Sequence, residues 1–292
     1  MNETIKAHIL VTIATLLIAS SFLVSGKLSG IIDPISITMY RFVIATLILS
    51  PIFIKKEYRA KFLSTIKRGL IISFFYSIYF IGMFKALEST TVLNTSTLYT
   101  LVPLMTAVLC ILFFKEKIKF NQLVIYCIAM IGTLIVIFKA NLSSFLHFSL
   151  NQGDLIFIIA CVSMALYSIF LKLLHKEGDV LLVLVFSTLL GGIIWMFLAM
   201  QFLSVPFEWG KIEGNLLYLM LYLSIVTTVV TLFLYQKASI ILGSKKLMAY
   251  TYLSPAMVAF LVYIFDNQTI TFGVMIGILL STIATIIILR QK

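Results

Sequence analysis

The sequence predicts an all-α integral membrane protein with ten transmembrane helices in two inverted-topology five-helix repeats. Three observations predict it: an apolar composition, a one-sided distribution of Lys and Arg, and an internal similarity at an offset of 152 residues. The chain has 292 residues, 61% hydrophobic and 11% charged, with a mean hydropathy of +1.12. Soluble domains are about 45–50% apolar and about 25% charged. At about 20 residues per span, ten spans leave no room for a soluble domain. That excludes a soluble enzyme, a disordered tail and a nucleic-acid-binding domain. The net charge of +11 then reads as the lysine excess of cytoplasmic loops.

Charged and turn residues bound apolar runs at 7–25, 34–54, 68–88, 94–114, 121–139, 153–174, 180–201, 216–237, 247–265 and 271–290. The first follows Lys6. It is longer than a signal-peptide core and has no small-x-small cleavage site before Asp33-Pro34, so it is a retained span. The second opens at Pro34 and holds Arg41; the third runs from Arg68 to Glu88. The fourth contains Pro103 and stops at Lys115, and the fifth ends at Lys139. The sixth starts at Gly153-Asp154, and the seventh and eighth follow between loop charges. The ninth contains Pro255. In the tenth, Gly273, Gly277 and Ser281 recur every four residues, a spacing that suits close scaffold packing or a homodimer contact.

With ten spans, 17 of the 22 Lys and Arg fall on one side, four (Lys27, Lys85, Lys139, Lys211) on the other, and Arg41 within a span. This asymmetry predicts a multi-pass protein of the cell membrane with both termini cytoplasmic. Cys110, Cys127 and Cys161 lie in apolar runs, and His8, His147 and His175 form no ligand pair. No disulfide framework, metal site or cofactor is expected.

At the 152-residue offset, Lys85-Ala86 falls on Lys237-Ala238, Pro103 on Pro255, and Phe113, Ile118 and Phe120 on Phe265, Ile270 and Phe272. The repeats divide the chain into 1–145 and 146–292. Five spans in the first repeat turn the second over in the bilayer, a construction common in secondary transporters. The turn Lys115-Glu116-Lys117-Ile118-Lys119 becomes Asn267-Gln268-Thr269-Ile270-Thr271. The apolar frame is kept and the lysines are gone, as expected for one cytoplasmic and one external turn.

Pro34-x6-Arg41-Phe42-x2-Ala45, Pro103 with the Glu116 turn and Gly132, and Gly153-Asp154 with Met164-Ala165-Leu166-Tyr167 resemble motifs of EamA-type transporters of the drug/metabolite transporter superfamily. The resemblance covers nearly the whole chain. It implies two inverted five-helix halves around a central cavity, and export or exchange of small metabolites.

Candidate translocation residues follow from polarity within spans. Arg41 lies about 10 Å into the second span, where a charge is costly and points to function; the alternative is that it snorkels outward or braces loop carbonyls, Asp33 or Glu88. Lys85 and Lys237 occupy equivalent positions at opposite mouths, where they would attract anions or anchor the chain at the interface. Pro103 and Pro255 break backbone bonding beside Tyr99, Thr100, Thr251, Tyr252 and Ser254. Tyr76 and Tyr79 share repeat positions with Thr228 and Thr231, each pair on one helical face. Tyr235 extends the latter face, and Tyr167 with Ser168 lies in the sixth span. No acid sits at mid-membrane depth, which disfavours proton-coupled cation efflux.

The expected function is secondary transport, by alternating access, of a small polar metabolite such as an amino acid or other carboxylate-bearing compound. Multidrug or cation efflux is the alternative. A polytopic lipid-modifying enzyme would need acidic or histidine clusters that the sequence lacks. The expected partners are the bilayer and a small-molecule substrate, with no nucleic acid.

Overall fold

A computed structural model describes residues 3–115, 120–137, 143, 151–266 and 271–290; among them the fold is all-helical. The first half comprises α1 (Glu3–Leu28), α2 (Pro34–Leu49), α3 (Lys56–Leu87), α4 (Val92–Leu98), α5 (Val102–Phe114) and α6 (Phe120–Ile137). The second comprises α7 (Gln152–Leu174), α8 (Leu181–Leu203), α9 (Asn215–Ser224), α10 (Thr231–Ala249), α11 (Ser254–Asp266) and α12 (Phe272–Arg290). Among the described residues, seven stretches are long and apolar enough to cross a membrane, the last of them 51 residues long, Asn215–Phe265. Gly243, at φ 76 and ψ 162, breaks that stretch within α10, a conformation open to glycine.

Local chemistry sets the helix ends. Asp33 caps α2 by accepting from the Ile35 N–H, with Pro34 in the first turn, where a missing N–H costs nothing. Asn151 and Asp154 form a reciprocal capping box at the start of α7. Both span prolines open new helices. A 3-10 turn, Tyr99–Leu101, precedes α5 and Pro103; another, Tyr250–Leu253, precedes α11 and Pro255. The prolines thus sit at a helix start behind a tightened turn, and not at a kink in a continuous helix as their position in an apolar run suggests. The 152-residue offset maps Val102–Phe114 onto Ser254–Asp266, so the break recurs in register.

The main core gathers α1, α2, α3, α7, α8 and α10. Small residues let these helices close up: Gly69 faces Ser187, Gly82 faces Ala160, and Gly192 faces the Phe42 ring. A smaller cluster joins Ala107, Tyr126, Ala129, Tyr252, Ala284 and Ile288. There α6 lies along α12, with Gly132 against Gly277 and Ser281. Gly277 and Ser281 of the last helix's small-residue stripe are therefore covered within the chain. The turns that lose their lysines, at 116–119 and 267–270, lie outside the described residues, as do Lys139 and the boundary at 145–146.

Candidate functional site

Five buried tyrosines meet at the centre of the main core. Tyr76 and Tyr79 come from α3, Tyr99 from the turn before α5, Tyr167 from α7 and Tyr235 from α10. The Tyr76 and Tyr167 rings are 4.8 Å apart and those of Tyr79 and Tyr99 5.8 Å. With Phe80, Met164, Thr227, Thr231, Ile18 and Ser21 they line a cavity of ≈ 30 Å³. That is room for about two waters and for no metabolite, so this conformation is closed around its centre.

Arg41 packs beside this box and is 0% exposed. It neither snorkels to the interface nor braces Asp33 or Glu88. Its Nε donates to Thr228 Oγ1, and one terminal nitrogen donates to Thr227 O at 3.1 Å and Thr227 Oγ1 at 3.0 Å. The guanidinium carbon stands 4.3 Å from the centre of the Phe80 ring, a cation–π contact. The other terminal nitrogen is buried with no acceptor, and among the described residues no carboxylate pairs with Arg41. Thr227 and Thr228 belong to a π-helical turn, Ile225–Val230, between α9 and α10. Such turns widen the backbone ring and are frequent at functional sites. The Tyr167 hydroxyl meets the Gln236 side chain and the Tyr235 hydroxyl meets that of Tyr99, while Gln236 Nε2 also donates to Thr188 Oγ1 at 3.3 Å.

Of the sequence candidates, Arg41, Tyr76, Tyr79, Tyr99, Tyr167, Thr228, Thr231 and Tyr235 converge on this centre. Arg41 and Thr228 adjoin the cavity without lining it, and the remaining candidates lie away from it. Thr100 and Pro103 are buried at the break before α5. Tyr252 and Pro255 are buried at the break before α11, and Tyr252 belongs to the smaller cluster. Lys85 is half exposed and bonds Glu88 at 2.7 Å, so it carries no unpaired charge. Lys237 is exposed, 6.0 Å from the Phe233 ring centre. Sequence reasoning missed Phe80, Thr227 and Gln236. Phe80 stands one turn from Tyr76, Thr227 adjoins Thr228, and Gln236 is a lone amide in an apolar run.

Away from the centre, one ion pair ties the two halves. Arg68 in α3 donates to both oxygens of Asp179, at 2.6 and 2.8 Å, in the link between α7 and α8. It also donates to Leu174 O at 2.9 Å. Burial alone would raise the Asp179 carboxyl, but the Arg68 fork and the Lys176 N–H outweigh it and hold it below its ordinary value.

The sequence model of the EamA-like transporter family matches residues 5–138 and again 151–290. The chain belongs to the EamA-like transporter family. Among its relatives is an uncharacterized transporter, YyaM, of Bacillus subtilis (strain 168), 28% identical over 171 residues. That match spans 56% of this chain and 55% of the relative, about half the length of each. A solved crystal structure shares the fold, with a TM-score of 0.73 over 96% of this chain and 95% of the other at 16% identity. As a member of the EamA-like transporter family with several apolar helices, the chain is a multi-pass membrane protein.

Proposed function

We propose that this EamA-like protein is a secondary transporter of small polar metabolites carrying a carboxylate or other anionic group. It works by alternating access between two inverted halves, residues 1–145 and 146–292, with both termini cytoplasmic. Ten spans fit the helices: Gly243 divides the 51-residue stretch into two crossings, and α6 and α12 add two more to the other six. Two equivalent elements meet their own counterparts, α6 against α12 and the Tyr99 turn against the Tyr250 turn. Contact between equivalents is what a pseudo-two-fold axis between the halves produces.

The buried Arg41 carries the substrate reading. A guanidinium out of water and without a counter-ion is costly, and its free nitrogen donors suit a carboxylate. The hydroxyls of Tyr167 and Tyr235 add donors nearby. A five-tyrosine box favours the rival, an organic cation held by ring faces. Against it, Arg41 already occupies one face of Phe80 and would repel a second cation.

Purified protein in liposomes, offered a panel of labelled anionic, zwitterionic, neutral and cationic metabolites with and without a pH gradient, tests the reading. Fastest counterflow is expected for compounds with an anionic group. A permanent monocation as the best substrate would replace this reading with cation efflux.

A further inference from the structure

Thr228 is fully buried and does not line the central cavity. Its hydroxyl lies 2.7 Å from Leu223 O and against Arg41 Nε. A carbonyl oxygen cannot donate and a guanidinium nitrogen cannot accept. The direction of both bonds is therefore forced: Thr228 donates to Leu223 O and accepts from Arg41. Thr227 repeats the pattern. Its hydroxyl donates to Leu223 O at 3.0 Å and accepts from Arg41 Nη2 at 3.0 Å. Thr227 reaches back four residues, the ordinary helical reach of a threonine. Thr228 reaches back five, the spacing of a π-helical turn. The turn at Ile225–Val230 thus sets two successive hydroxyls on one carbonyl, both accepting from one guanidinium.

With each hydroxyl hydrogen committed to Leu223 O, neither threonine has a side-chain donor left for an anion. Arg41 is committed as well. Its Nε meets Thr228, and its Nη2 finds two acceptors on Thr227, O and Oγ1, as many as it has N–H groups. Nη1 is buried with no acceptor among the described residues. A carboxylate usually takes an arginine edge by two parallel bonds. Both two-nitrogen edges of a guanidinium include Nη2, so neither is open here.

We propose that Thr228 is a positioning residue for transport. It acts on substrate through Arg41, holding the guanidinium so that Nη1 alone is presented to an anionic group. The inference rests on the reading of Arg41 as the partner of an anion, and it moves Thr228 from substrate contact to support of that contact.

The first readout needs no substrate. Arg41, Arg59, Arg68 and Arg290 are the only arginines in the chain. Isotope labelling of arginine nitrogens therefore gives four Nε–H NMR signals in nanodiscs, and Arg41→Gln identifies that of Arg41. Thr228→Val keeps the shape and removes the acceptor. It should shift the Arg41 Nε–H signal and speed its exchange with water about tenfold, while Thr228→Ser keeps both as in wild type. Thr228→Ala is the second variant should Thr228→Val not fold. The second readout is liposome counterflow of the fastest anionic compound of the labelled panel and of a neutral analogue. Thr228→Val should raise KM for the anion about tenfold, with the maximal rate and the neutral analogue's KM within about twofold of wild type. Thr228→Ser should restore the anion's KM. An unchanged Nε–H signal in Thr228→Val, or an anion KM no higher than that of wild type, overturns the inference. So does a Thr228→Ser variant as impaired as Thr228→Val, or equal loss for both compounds, since a packing defect gives that pattern. A permanent monocation as the fastest compound would overturn the anion reading and presentation to an anion with it. The Nε–H signal tells that failure apart from failure of the Thr228–Arg41 tie.

Discussion

Arg41 concentrates the chemistry of the chain at one residue. It is buried, bonded to Thr227 and Thr228, stacked on Phe80 and matched by no acid among the described residues. Charge-assisted hydrogen bonds contribute about 1.5–3 kcal/mol. Arg41→Gln is therefore expected to slow transport of an anionic substrate by about tenfold or more and to leave a neutral analogue within about threefold. Removing a buried, uncompensated charge should leave thermal stability unchanged or raised. A large fall in melting temperature with equal loss for both analogues would make Arg41 a structural brace. Lys85, paired with Glu88 at the surface, leads to the opposite outcome: Lys85→Ala should affect anionic and neutral substrates alike. The tyrosines and threonines were legible because polar groups at helical spacing inside apolar runs mark an interior face. Charge alone did not separate Arg41 from Lys85 and Lys237, because sequence shows a cation near a span end but not whether its tip reaches water or a neighbouring acid.

Elements add a second layer, in which breaks matter as much as helices. Pro103 and Pro255 marked the breaks from sequence, and their register at 152 residues matched the repeat. The π-helical turn at Ile225–Val230 left no such mark, since neither glycine nor proline is needed for it; its Thr227 and Thr228 hydroxyls accept from Arg41 and donate to Leu223 O. The Arg68–Asp179 pair was equally invisible, because its partners are 111 residues apart. Its pH dependence has a definite sign. A carboxyl held below its ordinary value stabilises the fold above the unfolded pKa of about 3.9, and that contribution is lost as pH falls through the lower folded value. Wild type should therefore lose melting temperature below about pH 4 more steeply than Asp179→Asn. At neutral pH the variant should be less stable by roughly 2 kcal/mol. Parallel melting curves for the two proteins across that range would show that the pair contributes nothing to holding the halves together.

For the whole molecule, the decisive question is whether the halves are inverted. The family match occurs twice, over 5–138 and 151–290, and each match covers one set of five apolar runs. If each apolar run crosses once, the five crossings of the first set bring the second in from the opposite side. The charges agree: the Lys115–Lys119 turn holds three lysines, and its counterpart at 267–271 holds none. Reporter fusions at Lys119 and Gln268 are thus expected on opposite sides of the membrane, with Lys119 cytoplasmic. Fusions reporting one side would remove the inversion, and with it the exchange of inward-open and outward-open states between two equivalent halves. The same architecture constrains energy coupling. Among the described residues the acids sit at helix ends and links, such as Asp33 capping α2 and Asp154 capping α7, and none lines the central cavity. Transport should then persist in Glu88→Gln and Glu116→Gln, and the rate should follow substrate gradients without a step set by a buried carboxyl. A well-folded single Gln variant that lost both transport and accompanying proton movement would locate a coupling acid and end the case for carboxylate-free exchange.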